Sequence, residues 1–216
     1  MPCSVDQWYG TGKDSQGVRL KPILLIMTRA PQIGAAKRRL ANDIGYTAAW
    51  RFHRNTLKQV STKLARNPQW KLHMLVSPQR AARPSRNWPI RGCPHAQGKG
   101  DLGKRMLRGL NGFPRGVPVV LIGSDIPGVT RSIIRKAFSA LKNRDAVFGP
   151  AQDGGYWLAG FSGRRKLWRP FYRVQWSTDK ALADTLANFS HRQLALVDTL
   201  SDVDDGYSFR DQPNLL

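Results

Sequence analysis

The chain has 216 residues and a mass of 24.2 kDa, which suits one domain with a full hydrophobic core. Thirty-five Lys and Arg residues against fourteen acids give a net charge of +21. Every acid is Asp, which excludes motifs that need Glu, such as the His-Glu-x-x-His zinc site. The seven tryptophans and 41% hydrophobic residues argue against a disordered chain.

The compartment is predicted from what the sequence lacks. No apolar run approaches the ~18–20 residues that span a bilayer. The first residues lack the basic and apolar segments of a secretory signal. Two cysteines, Cys3 and Cys93, are too few for a disulfide framework or a zinc site. We therefore expect a cytoplasmic protein without a membrane span.

The positive charge has two interpretations. One is binding to nucleic acid, and the other is a basic surface that partly serves a phosphorylated small substrate. The sequence has no zinc-finger spacing, no basic heptads and no aromatic strand typical of RNA-binding domains. Nucleic acid is therefore the less favoured partner.

The predicted elements alternate between strands and helices. Residues 1–21 are predicted to be a mobile polar arm and residues 22–216 a single domain. Strands are predicted at 22–28, 71–76, 117–122, 146–149, 156–161 and 193–197, with a short one possible near Ile90. One helix is predicted to begin near Lys37, and others are predicted over 47–66, 101–110 and 130–142. A last helix is predicted to start at Ser177 or Thr178 and to end at about residue 189. This alternation indicates an α/β sandwich with a largely parallel central sheet, in which ligands bind beyond the carboxyl ends of the strands.

The loop after the first predicted strand combines a glycine with four cations. Arg29 opens it, Gly34 lies within it, and residues 37–39 are Lys-Arg-Arg. Glycine lets the backbone approach a ligand closely, and the start of the next helix favours phosphate. The segment suits a nucleotide di- or triphosphate, although it matches neither the Walker A nor the Gly-x-Gly-x-x-Gly pattern. A solvated basic helix start is the alternative.

Carboxylates follow later predicted strands. Asp125 directly follows the central strand, where one carboxylate together with substrate phosphates could hold Mg²⁺. Capping of the next helix is the alternative role, but Thr130 lies closer to that helix. Asp153 precedes two glycines and could act as a base or simply form a hairpin turn. Residues 202–205 bring three more carboxylates, which need a cation or arginine partner.

Taken in chain order, these motifs resemble a bacterial family of small GT-A-fold transferases related to the 2-phospholactate guanylyltransferases. Many of its members are described as glycosyltransferases, some of them in arsenosugar biosynthesis. The matching motifs are Arg29-Ala-Pro…Gly34…Lys37-Arg-Arg39-Leu40, Gly100-Asp101-Leu-Gly-x-Arg105-Met106, Gly123-Ser-Asp125-x-Pro127, Gly149-Pro-Ala-x-Asp153-Gly-Gly-Tyr156, Trp176-Ser177 and Asp202-Val-Asp204. They cover most of the chain. Two motifs depart from the common pattern: Lys-Thr-Arg becomes Lys37-Arg38-Arg39, and the acidic motif continues as Asp-Gly-Tyr-Ser after Asp204.

The resemblance implies a three-layer α/β/α fold and a role for each motif. The implied nucleotide-binding residues are Arg29, Gly34, Lys37, Arg39, Gly100 and Asp101. Asp125 and Asp204 would hold Mg²⁺ or Mn²⁺, and Asp125 and Asp153 would be catalytic. Gly154, Gly155, Tyr156, Trp176 and Ser177 would bind the acceptor.

Three functions remain open from the sequence. The first is a metal-dependent transferase that uses a nucleotide-activated donor, foremost a nucleotide sugar, with an unknown small-molecule acceptor. The second is a nucleotidyltransferase that joins a nucleoside triphosphate to a phosphorylated small molecule. The third is a non-catalytic protein that binds nucleic acid.

Overall fold

A computed structural model of the chain describes residues 20–83, 91–190, 193–203 and 205–210. Within them, one sheet contains the strands β1 (Ile23–Arg29), β2 (Lys71–Ser77), β3 (Cys93–Ala96), β4 (Val119–Gly123), β5 (Ala146–Pro150), β6 (Tyr156–Phe161) and β7 (Leu194–Leu196). The helices are α1 (Arg38–Ile44), α2 (Tyr46–Ala65), α3 (Leu102–Leu110), α4 (Arg131–Ala140), α5 (Ala181–Leu186) and α6 (Gly206–Arg210).

The central strands are buried on both faces, as their continuous apolar sequences predict. In β1, Leu24 and Ile26 face one core, whereas Ile23 and Leu25 face the other. The first core includes apolar side chains of α2 and α4, and the second includes side chains of α3 and α5. Helices therefore cover both faces, and the predicted three-layer α/β fold is confirmed.

The strand order positions the functional site. The sheet runs β3-β2-β1-β4-β6-β5-β7, and every neighbouring pair is parallel except the two that involve β6. The chain passes outward from β1 to β2 and β3, then returns to place β4 on the other side of β1. Such a switch point leaves a crevice beyond the carboxyl ends of the two neighbouring strands.

Several predicted boundaries were wrong, and the largest error concerns α5. It was predicted to start at Ser177 or Thr178, but it begins at Ala181. Ser177 has a left-handed φ of 63°, and the Thr178 hydroxyl donates to Gln175 O at 2.8 Å, so the chain turns before the helix starts. The short helix α6 was not predicted. By contrast, Thr130 caps α4 as expected, since its Oγ1 accepts from Ile133 N–H.

Some predictions fall on residues outside the described ranges. These are most of the N-terminal arm, the possible strand at Ile90, and the predicted metal ligand Asp204. The described strand β3 lies a few residues beyond Ile90. In the part of the chain that the structure describes, no helix is both long and apolar enough to cross a membrane.

Candidate functional site

Residues from distant parts of the sequence meet where β1 and β4 end. These strands pair in parallel, with Met27 beside Gly123. The loops that follow them therefore start at the same edge of the sheet. The first loop leads to Lys37 and the second to Asp125, and these two side chains form an ion pair across 88 positions of sequence.

Lys37 is held tightly at the centre of this site. Its Nζ lies 2.5 Å from Asp125 Oδ2 and donates to Val203 O at 2.6 Å. The Lys37 side chain is only 5% exposed, against 27% for Asp125. Lys37 also has a left-handed backbone (φ 55°, ψ 47°), which costs free energy in a residue with a Cβ and persists where surrounding contacts fix it.

The ion pair keeps Asp125 ionised. Burial alone raises the pKa of this carboxyl, but the charge and hydrogen bond of the Lys37 ammonium outweigh burial. The net shift of the Asp125 pKa is downward from its ordinary value. The carboxylate is thus available at neutral pH, with Lys37 as its counter-ion.

A cleft of about 450 Å³ opens beside this pair, and we call it the basic lobe. Its charged lining consists of Arg29, Lys37 and Arg105 together with Asp125, and Ser124 and His53 add polar groups. Arg29 Nη1 donates to Ala35 O at 3.1 Å, which folds the loop after β1 back over its arginine. Among the described residues, three cations and a single carboxylate line this lobe, so the lobe attracts anions.

A buried amide positions one of these cations. Gln97 is 4% exposed, and its Nε2 donates to Thr28 O at 2.9 Å and Leu75 O at 3.0 Å. Its Oε1 accepts from Arg105 Nη1 at 3.1 Å. One side chain thereby joins the ends of β1 and β2 to a guanidinium on α3. The sequence carries no signal for this, because Gln97 lies between the predicted elements.

His53 from α2 lies under the basic lobe. It is 4% exposed, and its Nε2 donates to Arg29 O at 3.1 Å. Its Nδ1 is buried without a hydrogen-bond partner among the described residues. Burial is the main cause that lowers the pKa of this histidine, so the imidazole is neutral at physiological pH.

A second cavity of about 230 Å³ adjoins the first, and we call it the acidic lobe. Its carboxylates are Asp125, Asp153 and Asp202. Its other functional side chains are Tyr156, Trp157, Trp176, Ser177 and Thr178. The two lobes share Leu102, Met106, Gly123, Asp125, Tyr156 and Trp157. They therefore form one continuous cleft with Asp125 at the junction.

Aromatic packing fixes Trp176 at this cleft. Its ring makes edge contacts with Tyr156 and Phe171, at centroid distances of 6.4 and 5.8 Å. On α3, a Cβ at Gly103 would lie 2.7 Å from Trp176 Cζ2, so only glycine leaves room for the indole. The Gly-x-Arg-Met motif on α3 thus contributes both to the packing of Trp176 and, through Arg105, to the basic lobe.

Asp153 occupies the turn between β5 and β6. Its Oδ1 accepts from Gly155 N–H at 2.9 Å, and Ala151 N–H donates to Gly155 O at 3.0 Å. The hairpin alternative for this motif is therefore correct as a description of its backbone, while Asp153 also lines the acidic lobe. Gly154, at φ 81°, lies against the backbone of Asp179, where a Cβ would collide with it.

The structure brings together eight of the predicted site residues. These are Arg29, Lys37, Asp125, Asp153, Gly155, Tyr156, Trp176 and Ser177. Five others, Gly34, Arg39, Gly100, Asp101 and Gly154, do not line either lobe as the described residues define it. Asp101 caps α3 instead, since its Oδ1 accepts from Lys104 N–H at 2.8 Å. Arg105, Gln97, His53 and Asp202 line the cleft but were not among the predicted site residues.

The donor set determines what cation the site could hold. Among the described residues, no group of three or more His, Cys, Asp and Glu side chains could by itself enclose a metal ion. Mg²⁺ usually needs only one or two carboxylates, and it completes its shell with water and substrate phosphates. Asp125 already binds a cation, the Lys37 ammonium, at its Oδ2. An oxygen ligand of this kind beside a basic cleft fits Mg²⁺ or Mn²⁺ that arrives with a phosphorylated ligand.

The fold is that of the doubly wound α/β proteins, and the cleft lies at the switch point of the sheet. The family model of DUF2064, described as an uncharacterised protein conserved in bacteria, matches residues 56–178. That match covers more than half of the chain, and the protein belongs to this family. Comparison with curated protein sequences finds no match.

Solved structures agree with this placement. A protein of Desulfovibrio desulfuricans G20, provisionally described as a nucleotide-diphospho-sugar transferase, is 27% identical and superposes with a TM-score of 0.80. The alignment covers 90% of this chain and 89% of that one. The predicted resemblance to a bacterial transferase family is thereby confirmed.

More distant structures share the fold. The 4-diphosphocytidyl-2C-methyl-D-erythritol synthase of Anaerococcus prevotii has a TM-score of 0.53 at 11% identity, covering 88% of this chain and 94% of its own. A CMP:2-keto-3-deoxy-manno-octonic acid synthetase complexed with CTP has a TM-score of 0.52 at 8% identity, covering 88% and 96%. The chain therefore has the fold of nucleotide-using transferases.

Proposed function

We propose that this protein is a metal-dependent transferase that uses a nucleotide-activated donor, foremost a nucleotide sugar. The observation that carries the proposal is the convergence of Lys37 and Asp125 from the loops after two neighbouring strands. Cationic groups, together with a carboxylate that can hold a metal ion, stabilise the negative charge that develops when a phosphoanhydride bond breaks.

The basic lobe is the proposed donor site. Its volume of about 450 Å³ lies within the ~300–1,000 Å³ typical of small-molecule sites. The side chains of Arg29, Lys37 and Arg105 line this lobe. One Arg guanidinium can donate two parallel hydrogen bonds to the oxygens of a phosphate. These cations would stabilise the negative charge that develops on a diphosphate as it leaves.

Asp125, with Asp202 nearby in the lining, would hold Mg²⁺ or Mn²⁺ at the junction of the lobes. When bound, the ion supplies positive charge to the leaving diphosphate. Lys37 already neutralises Asp125, so a divalent cation and the ammonium compete for one carboxylate. A donor diphosphate gives Lys37 another anionic partner. We therefore expect nucleotide and metal ion to bind cooperatively, each raising the affinity for the other.

Asp153 is the proposed base on the acceptor side. Its carboxylate lines the acidic lobe and is oriented by the hydrogen bond from Gly155 N–H. In that role it takes the proton from an acceptor hydroxyl while the oxygen attacks the donor.

Nucleotidyl transfer is the second candidate, because three cations in the basic lobe would also suit a triphosphate. In this reaction a substrate phosphate attacks the α-phosphorus of a nucleoside triphosphate, and pyrophosphate leaves. The cytidylyltransferase-like structures with the same fold are compatible with it.

A thermal-shift screen tests the proposal directly. Nucleoside triphosphates and nucleotide sugars are added with and without Mn²⁺, and a ligand raises stability by RT ln(1 + [L]/Kd). We expect stabilisation by a nucleotide that increases with Mn²⁺ and is lost in Asp125→Asn. The control is Asp145→Asn, which removes a carboxylate that pairs with Arg164 and Arg165 away from the cleft.

The released product then separates the two reactions. Release of a nucleoside diphosphate from a nucleotide sugar supports glycosyl transfer, whereas release of pyrophosphate from a triphosphate supports nucleotidyl transfer. If no nucleotide stabilises the protein, the proposal fails. An unchanged Mn²⁺ effect in Asp125→Asn contradicts the metal assignment.

A further inference from the structure

We infer that a groove at the opposite edge of the sheet from the cleft binds an amphipathic anion, a small molecule with an apolar body and a carboxylate or phosphate head. The groove measures about 860 Å³, within the ~300–1,000 Å³ typical of small-molecule sites. It shares no described lining residue with either lobe, so this second site stands apart from the proposed function.

The groove lies where the central strands begin. Its lining includes Pro22 and Pro118, which directly precede β1 and β4. These two strands run in parallel from this edge, and the cleft opens beyond their other ends. At ~3.3 Å per residue, the strand from Pro22 to Thr28 separates the two sites by about 20 Å. A ligand in the groove therefore does not touch a nucleotide in the basic lobe.

The floor of the groove is apolar. Trp70 and Phe138 stack there with ring centroids 5.8 Å apart, and Trp70 Nε1 already donates to Leu64 O at 2.9 Å. The carbonyl oxygens of Pro22 and Pro118 accept from backbone N–H groups at 2.9 Å, and proline has no N–H of its own. A ligand on this floor meets mainly carbon. The apolar lining consists of Leu20, Pro22, Trp70, Pro118, Phe138 and Leu141.

Cations form the rim of the groove. Its described lining contains no carboxylate but four exposed basic residues, Lys21, Arg135, Lys142 and Arg164. In the part of the chain that the structure describes, the side chains of Lys21, Arg135 and Lys142 make no hydrogen bond or ion pair. These three side chains are the proposed partners of the anionic head.

The fourth cation, Arg164, has a structural task. Its Nη1 donates to Lys142 O and its Nη2 to Arg144 O, both at 2.7 Å, and Asp145 Oδ1 lies 3.5 Å from Nη2. The guanidinium thereby satisfies carbonyl groups that follow the end of α4. It is held by these contacts at one side of the groove, and we assign it no part in binding the head.

The combination of rim and floor determines the class of ligand. Water and salt screen exposed cations, so they bind a simple anion weakly, and a net charge of +21 places such cations over much of the surface. The groove differs from that general surface by its apolar floor. An amphipathic anion gains from both parts, because its body leaves water while its head pairs with the rim. The concave shape suits a small molecule better than a flat bilayer surface.

Three compounds that separate head from body test the inference on the wild-type protein. Octanoate carries both, 1-octanol keeps only the body, and acetate keeps only the head. They are titrated by ligand-observed NMR at ~0.15 M salt. We expect octanoate to bind about 10-fold more tightly than acetate and about 5-fold more tightly than 1-octanol. Octyl phosphate, compared with inorganic phosphate, repeats the test with the other head group.

Charge-matched variants locate the binding. We expect Arg135→Gln/Lys142→Gln to weaken octanoate binding about 5-fold and to leave 1-octanol unchanged, because both side chains are exposed and lie on the rim. The control Arg131→Gln/Lys136→Gln removes two charges from α4 outside the lining, where both side chains have other partners. Thermal melts establish that both variants are folded.

Four results would overturn the inference. The first is equal affinity for octanoate and either acetate or 1-octanol, since one part of the groove would then suffice. The second is an equal loss in both double variants, which would indicate the overall charge. The third is a loss of octanoate affinity in Arg105→Gln, which would place the anion in the basic lobe. The fourth is binding of phosphatidylglycerol vesicles, abolished by Arg135→Gln/Lys142→Gln, without binding of octanoate or octyl phosphate.

Discussion

The two lobes of the cleft share Asp125 but differ in every other charged group. Among the described residues, the basic lobe has three cations, from the end of β1, from the loop after it and from α3, whereas the acidic lobe adds only carboxylates. In the hairpin beside the acidic lobe, the N–H groups of Ala151, Gly154 and Gly155 are bonded to other groups of the hairpin. The net charge of +21 therefore says little about the ligand at a given position, since the charged residues in the described lining of the acidic lobe are all aspartates.

The largest effect is expected from separating the ion pair that joins the lobes. Lys37→Met leaves the Asp125 carboxylate without its counter-ion, and breaking a buried pair costs ~3–5 kcal/mol. Because Asp125 is 27% exposed, solvent reduces this, and we expect a loss of about 1–3 kcal/mol. Urea denaturation measures the free energy of unfolding.

The control is the double variant Lys37→Met/Asp125→Leu, which removes both charges. The double variant should be more stable than the sum of the losses in Lys37→Met and Asp125→Leu predicts. It leaves neither charge without its partner, whereas each single variant does. Strictly additive losses would show that the two side chains are not energetically coupled.

The second prediction concerns the donor affinity of the basic lobe. Arg105→Gln removes a guanidinium that Gln97 orients toward the cleft. A charge-assisted hydrogen bond contributes ~1.5–3 kcal/mol, so we expect nucleotide affinity to fall about 10- to 100-fold. Isothermal titration calorimetry measures it.

Lys104→Gln is the matched control, one position earlier on the same helix. The Lys104 side chain is 72% exposed and is not part of either lining. Lys104→Gln removes one positive charge from the chain, as Arg105→Gln does. An equal loss of nucleotide affinity in both variants would therefore mean that the overall charge, not the basic lobe, attracts the nucleotide.

The third prediction concerns the acceptor side. Trp176→Ala removes a ring face from the acidic lobe, and we expect a rise of about 10-fold in KM for the acceptor with donor affinity unchanged. Trp168→Ala is the matched control in the same segment, since this indole is 90% exposed and outside both lobes. A similar KM change in both variants, or an equal effect on the donor, would contradict the division between the lobes.

Much of the fold was predictable because it depends on local patterns. The continuous apolar sequence of β1 and the helical periodicity of α2 each determine their element, and the alternation of strands and helices indicates the sheet. Lys37 and Asp125 were both predicted to lie beyond the carboxyl ends of strands, where the ends of neighbouring parallel strands meet, but their ion pair was not predicted.

The rest depends on contacts between distant residues. Nothing in the sequence around Gln97 indicates that its amide would join three elements. The late start of α5 follows from the left-handed Ser177 and the bond of Thr178 to Gln175, which override good capping residues. The sign of the acidic lobe was also hidden, because its carboxylates come from three separate segments.

The smallest expected effect is a flat pH profile for the basic lobe. The pKa of His53 lies below its ordinary value, mainly through burial, so this histidine stays predominantly neutral between pH 8 and its ordinary pKa of ~6.5. A nucleotide sugar has no phosphate that titrates in this range, so its affinity should change less than about 2-fold there in wild type and in His53→Gln. An affinity that rises as the pH falls through ~6.5, and does so only with His53 present, would mean that the lobe gains a proton at this residue.

The pH dependence of folding stability tests the pKa of His53 independently. The unfolded chain protonates His53 near pH 6.5, whereas the folded protein resists it, so stability falls as the pH drops below ~6.5. Burial also lowers the pKa of His73 to about 3 and of His95 to about 4, and both contribute in the same direction. Only the comparison of the wild-type and His53→Gln curves therefore reports His53, and wild type should lose stability more steeply than the variant on acidification. Parallel curves would show that His53 titrates alike in the folded and unfolded chain. The positive charge of the basic lobe would then depend on the protonation of His53 as well as on its lysine and arginines.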